Sequence, residues 1–268
     1  MFLTCGIARL LCALTVCMMA ISSVYGSPVR DGETALVRQQ NIPILLYHHV
    51  NVFSPNESRA LRRWSLSSEK LEAQMDWVEA HRFSPITMQE LIGHLKHGLA
   101  LPSKPIVISF DDGLEEHYSV VFPILKKHKF VATFFIITGS VGHLGFMNWG
   151  QILQMSAAGM DIQAHTMTHP DLSVLSHEEA YDEIVGSKRI LEKKLNKQVA
   201  ILAYTFGCYN EDVIAIARAA GFEGAATVRG VNDGYIFRRD RSYTLERYAI
   251  ERGETLDYLA HSKGFDSK

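Results

Sequence analysis

The sequence predicts an α/β protein whose parallel strands close into a βα barrel, and three observations carry that prediction. Short apolar, β-branched runs alternate with amphipathic stretches of helical period along most of the chain. The runs are apolar at consecutive positions, as expected of strands covered on both faces; a strand with one wet face would alternate. Six or seven such units recur, which favours a closed ring over an open doubly wound sheet. No glycine-rich phosphate loop follows any run, so the usual nucleotide-binding signals are missing.

The first 26 residues read as a separate segment. Arg9 precedes an apolar run from Leu10 to Ile21, and the small residues Ser22, Ser23 and Gly26 follow before Ser27 and Pro28. About a dozen apolar residues are too few to cross a ~30 Å hydrocarbon core as a helix. A basic residue before them and small residues after predict a secretory signal peptide cleaved near Gly26, and a secreted or periplasmic mature protein. A polar leader occupies 27–41 and one domain 42–268. Cys5, Cys12 and Cys17 fall in the signal, leaving Cys208 without an internal disulfide partner, so stability must rest on the core. No later apolar run is long enough for a transmembrane segment.

Strands are predicted at 42–47, 106–110, 131–137, 160–164, 199–204 and 222–228. Between them, 68–81 repeats Leu71, Met75 and Val78 on one helical face, and 117–128 is amphipathic. The helix at 149–158 stops at Gly159 and that at 210–220 stops at Gly221. In 176–196, Tyr181, Ile184, Leu191 and Leu195 recur at helical spacing behind Glu178 and Glu179. Composition is that of an ordinary globular protein, 47 % hydrophobic and 21 % charged with formal net charge −2, and lacks the basic footprint of a nucleic-acid partner.

Parallel barrels gather their chemistry at the carboxyl ends of the strands. There the strand 106–110 meets two adjacent carboxylates, Asp111 and Asp112, whose desolvation must be offset. The strand 160–164 runs into "HTMTH", where one turn of helix ended by Pro170 would put His165 and His169 on one side. Two histidines and one carboxylate form a common three-ligand set for a catalytic zinc with a position left for water. One aspartate can bind the ion while the other accepts a proton from water. "ILLYHHV" ends the first strand with His48 and His49; strand alternation turns one of them toward the pocket, where it can act as general acid.

"SFDDG", followed about fifty residues later by "HTMTHPDL", closely resembles the polysaccharide deacetylase (NodB-homology) family of metal-dependent carbohydrate esterases, and the likeness runs from 42 to 250. It implies a distorted (β/α)7 barrel of parallel strands and hydrolysis of N-acetyl groups from an amino-sugar polymer. It assigns Asp111 as catalytic base and Asp112, His165 and His169 as ligands of a divalent ion, with Zn2+ the first choice and Ni2+, Co2+ or Fe2+ alternatives. "YHHV" and "LERYAI" resemble the circularly permuted branch, which includes deacetylases of exported poly-β-1,6-N-acetylglucosamine in biofilm-forming bacteria. In that branch the first histidine after the tyrosine is the acid, here His48, and cell-envelope export machinery becomes an expected partner. His261, in "LDYLAH", matches the other branch's acid poorly.

The third motif departs from the family. It reads "AYTFGCYN", with Ala203 where an arginine normally orients the base and Thr205 in place of a proline. Arg247 and Arg229 are the candidates to replace the arginine. Phe206 retains a backbone N–H suited to an oxyanion, Tyr204 and Phe206 are placed to wall the acetyl pocket, and Cys208 is read as a small half-buried residue. His81, His94, His97, His128, His143 and His177 receive no role. Two other readings stand beside this one: a peptidoglycan or other amide deacetylase using the same site, and a non-catalytic glycan-binding protein.

Overall fold

The computed structural model describes residues 42–51, 59–228 and 242–264; the segments read as signal peptide and leader lie outside them. In chain order the elements are β1 (Ile44–Tyr47), β2 (His49–Val50), α1 (Arg59–Arg63), β3 (Ser65–Leu66), α2 (Ser68–Ala80), β4 (Ser84–Ile86), α3 (Met88–His97) and β5 (Pro105–Phe110). A π-helical turn (His117–Val121) then runs into α4 (Phe122–His128). It is followed by β6 (Thr133–Ile136), α5 (Trp149–Ala157), β7 (Asp161–Ala164), α6 (His177–Leu195), β8 (Ile201–Ala203), α7 (Glu211–Ala219) and β9 (Gly224–Thr227). The described chain ends with β10 (Leu245–Glu246), β11 (Tyr248–Ala249) and α8 (Leu256–Lys263).

The main sheet has the order β10-β9-β8-β7-β6-β5-β1-β11, and its pairings are parallel. Its two edges meet on one segment. Leu245 and Glu246 pair with Ala226 and Thr227 of β9, while Tyr248 and Ala249 pair with Leu45 and Leu46 of β1. "LERYA" therefore brings the sheet round into a barrel, and Arg247 is its middle residue. Counting that segment once, the ring has seven staves, β1, β5, β6, β7, β8, β9 and β10–β11, in keeping with a distorted (β/α)7 barrel. β4 adds a short strand beside the start of β5.

The helices begin where short polar side chains can satisfy free backbone N–H groups. Thr87 with Glu90, Asn148 with Gln151 and Ser176 with Glu179 form capping boxes on α3, α5 and α6. Inside the ring, Ile44, Val107, Phe135, Ile201, Ala203, Ala226 and Leu245 pack with Met88, Leu91 and Ile92 of α3. The first turn of α3 is pinned at strand starts: the Met88 N–H donates to Thr133 Oγ1 and the Gln89 N–H to Asp161 Oδ2. α3 thus covers the amino-terminal mouth of the barrel and leaves the carboxyl-terminal mouth for chemistry.

Several sequence expectations change. β4 and α3 were not anticipated, because a three-residue strand containing Pro85 carries no periodic signal. The helix expected over 117–128 opens as a π turn and becomes α-helical only at Phe122. α6 buries Ile184, Leu191 and Leu195 as expected, but Tyr181 is exposed and Ala180 takes its place in the buried stripe. Among the described residues, no helix is long and apolar enough to cross a membrane.

Candidate active site

β5 delivers Asp111 to the carboxyl-terminal mouth, where its N–H donates to the Tyr47 carbonyl at 3.1 Å. Asp112 adopts φ 79° and Gly113 φ 76°. Extended neighbours would point to opposite faces, but the left-handed step at Asp112 cancels the alternation, so both carboxylates line one cavity. Aspartate tolerates this region better than most side chains.

The "HTMTH" segment is a loop rather than the expected helical turn. Thr166 and His169 both have positive φ, 62° and 65°, which no helix allows. The loop is held by its own side chains and by α6. The His169 N–H donates to Thr166 Oγ1 at 3.0 Å, and the N–H groups of Met167 and Thr168 donate to Glu183 at 2.7 and 2.8 Å. Thr205, at the family's proline position, donates its hydroxyl to the Pro170 carbonyl, a bond that proline could not make.

His165 Nδ1 lies 2.8 Å from the Ala203 carbonyl. A carbonyl only accepts, so Nδ1 carries the proton and Nε2 is left with its lone pair. That Nε2 is 3.6 Å from Asp112 Oδ1, and His169 Nε2 is 3.7 Å from the same oxygen. A tetrahedral ion with bonds of about 2.0–2.2 Å sets its ligand atoms roughly 3.3–3.5 Å apart, so these three side chains fit a divalent cation. Their charge states agree. Burial lowers His165 to about 4 and also lowers His169, leaving neutral imidazoles. Burial, then the charge of Asp111, raises Asp112 to about 7.

Asp111 has the opposite environment. Arg247 Nη1 and Nη2 donate to its two oxygens, each at 2.7 Å. Both side chains are buried, and the guanidinium lies over the Phe135 ring, 5.1 Å from its centroid. Burial alone would raise the Asp111 carboxyl, but the Arg247 guanidinium holds it well below the usual carboxylate range. Arg229, the other candidate, lies outside the described residues.

β1 stops at Tyr47 and β2 begins at His49, so His48 is a break between strands and alternation does not carry across it. Both His48 and His49 line the cavity, where one was expected. The His48 ring packs 5.3 Å from Trp64, its Nδ1 is buried without a partner, and burial lowers it to about 4. His49 Nδ1 is 2.9 Å from Glu116 Oε1. Tyr204 lines the cavity from within the fold, donating its hydroxyl to the Tyr243 carbonyl at 3.1 Å. Phe206 is at the rim, 64 % exposed, with its ring edge-on to His169 at 4.6 Å. The tight turn continues at Gly207, where φ is 70° and a Cβ would stand 2.4 Å from the Val228 carbonyl oxygen. Cys208 is half-buried, and burial raises its thiol, the reverse of an activated nucleophile.

These side chains enclose a cavity of about 470 Å3. Leu61 and Trp64, which form part of its wall, and Glu116 and Glu183, which brace it, gave no signal in the sequence. A second acidic and histidine grouping, Asp76, Glu79 and His128, joins α2 to α4. Its carboxylates are exposed and address different ring nitrogens, Glu79 at Nδ1 (3.2 Å) and Asp76 at Nε2 (3.7 Å). That arrangement suits an ion pair and does not suit common ligation.

Known proteins similar to this chain come from one family. The family described as Polysaccharide deacetylase matches over residues 99–225. A poly-beta-1,6-N-acetyl-D-glucosamine N-deacetylase of Staphylococcus aureus (strain MRSA252) is 30 % identical over 237 residues, 78 % of this chain and 81 % of that protein. The putative polysaccharide deacetylase YxkH of Bacillus subtilis is 29 % identical over 212 residues, 79 % of this chain and 72 % of that protein. The solved Streptococcus pyogenes deacetylase PplD, in complex with acetate, superposes with a TM-score of 0.76 at 28 % identity, covering 82 % of this chain and 97 % of that one. IcaB from Ammonifex degensii shares the fold, with a TM-score of 0.72 at 23 % identity over 85 % of this chain and 98 % of that one. By sequence likeness across most of a relative's length, and by its barrel, this chain belongs to the polysaccharide deacetylase family, hydrolases that act on carbon–nitrogen bonds.

Proposed function

We propose that the protein is a metal-dependent N-deacetylase of an exported amino-sugar polymer of the poly-β-1,6-N-acetyl-D-glucosamine class. The observation that carries the reading is the pairing, in one cavity, of the Asp112–His165–His169 triangle with an Asp111 gripped by Arg247. The three residues of the triangle would hold the ion, with Zn2+ best suited to two imidazoles and a carboxylate. Bound there, a divalent cation supplies Lewis acidity, easing ionisation of water and polarisation of a carbonyl oxygen.

The remaining steps belong to the protein. Asp111, kept ionised and aimed by Arg247, takes a proton from the attacking water. His48, in its imidazolium form, delivers a proton to the departing nitrogen; acetic acid and a free amine leave, and the proton that Asp111 took from water passes back to His48 through solvent, which restores both groups. Burial holds His48 neutral in the free protein, and negative charge developing on the substrate favours its imidazolium form. The Phe206 N–H serves the developing oxyanion, and Tyr204 and Phe206 bound the acetyl group. The polymer class draws support from the staphylococcal relative's name and from "YHHV" near the amino terminus. Export draws support from the apolar segment at 10–21, with removal of 1–26 leaving the leader 27–41 ahead of the catalytic domain.

The test is acetate release from defined β-1,6-linked N-acetylglucosamine oligomers, with and without added metal, beside peptidoglycan fragments. Metal-dependent release from the oligomers supports the reading. Release from peptidoglycan alone moves the substrate and keeps the chemistry. Binding without release leaves a glycan-binding protein.

A further inference from the structure

Three consecutive residues leave the barrel at the end of β1, and each is tied to a different element. The Tyr47 carbonyl accepts from the Asp111 N–H at 3.1 Å, and the His49 N–H donates to the Trp64 carbonyl at 3.2 Å. Between them, the His48 carbonyl accepts from His117 Nε2 at 2.8 Å. The His49 ring is held as well, by Glu116. Two neighbours at the start of the π turn, Glu116 and His117, therefore hold the two neighbouring histidines of the cavity.

Packing alone does not explain an imidazole at 117. The ring is fully buried, with centroids 5.4 Å from Phe110 and 5.8 Å from Phe134. Its Nδ1 is buried with no partner, a cost that an apolar side chain of similar volume would avoid. The bond to the His48 carbonyl is what the nitrogen provides, and it requires the proton on Nε2. The backbone supports the same aim. Phe122 donates back to the His117 carbonyl, five residues away, and the wide turn seats His117 inward; such insertions recur at functional sites. His48 needs this outside hold, because it belongs to neither β1 nor β2 and no strand ladder fixes its carbonyl.

We propose that His117 is a positioning residue for deacetylation: it sets the backbone at His48 so that this imidazole faces the reacting centre beside Asp111, while Glu116 holds the neighbouring His49. The inference rests on the reading of His48 as proton donor.

The test is a double-mutant cycle in the metal-loaded full chain. His117→Met is expected to lower kcat about 10- to 100-fold with KM and metal content little changed, since small misplacements of a proton donor cost rates of this order. In a His48→Ala background the same substitution is expected to cost less than twofold, because the group it positions is gone. His117→Gln, which keeps an N–H at similar reach, is expected to recover most of the rate. Full kcat in His117→Met, or an equal loss in both backgrounds, would overturn the proposal. Should His117→Met fail to fold, His117→Asn, whose shorter amide does not reach the His48 carbonyl, replaces it in the same cycle with His48→Ala, with the same expected non-additivity and the same contrary result. A slow His48→Ala beside a fast His117→Met removes this proposal alone, whereas a fast His48→Ala removes the proton-donor reading and this inference with it.

Discussion

Arg247 grips Asp111 through two hydrogen bonds of 2.7 Å, and it does so from the segment on which the two edges of the barrel meet. Closure of the fold and orientation of the proposed base therefore share one residue. An arginine can make this fork and a lysine cannot.

Arg247→Met is expected to destabilise the protein by about 3–5 kcal/mol, since it strands a buried carboxylate. With its cation gone, the Asp111 carboxyl rises, so the acid limb of the kcat/KM profile moves to higher pH. Arg247→Lys should restore part of the stability and less of the rate. Thermal melts and pH–rate profiles read both effects; an unmoved acid limb in Arg247→Met would contradict the assignment of Asp111 as base.

Glu183 reaches from α6 to two backbone N–H groups of the loop that carries His165 and His169. Glu183→Ala frees that loop and is expected to weaken metal affinity by about 10- to 100-fold, measured by competition with a chelator. The barrel itself should melt within a few degrees of the parent.

His117 gives a pH dependence whose sign can be worked out. Burial lowers its folded value to about 4, below the 6.5 of a free imidazole. Between those limits the unfolded chain binds the extra proton, so stability falls as pH drops from 6.5 to 4 and is unaffected by His117 above that window. The contribution is at most about 3 kcal/mol. Asp112 in the metal-free protein titrates with the opposite sign over an overlapping range, so the quantity to measure is a difference. Denaturant melts of parent and His117→Met at pH 7 and pH 4.5 should show the parent losing more stability than the variant; equal losses would contradict a neutral, buried His117.

The fold was legible where its signals were local. Continuous apolar runs marked the staves, and the two carboxylates after Phe110 and the histidine pair after Ala164 marked the mouth of the barrel. What was lost depended on backbone steps that break periodicity. Left-handed residues at Asp112, Thr166 and His169 turned an expected helix into a loop and undid strand alternation, and the end of β1 at Tyr47 let both histidines face the cavity. Arg247 could be named only as one of two alternatives, because it meets Asp111 across 136 positions. Glu183 sits in the predicted helix 176–196 and Glu116 just ahead of the one at 117–128, and only the folded geometry shows what their carboxylates hold.

The most direct test measures bound metal and released acetate together, in the parent and in Asp111→Asn, on defined β-1,6-linked N-acetylglucosamine oligomers. The account expects about one divalent ion per chain in both proteins, and acetate release in the parent that falls by at least about a hundredfold in the variant. Full turnover by Asp111→Asn, or turnover by a parent stripped of metal, would contradict it.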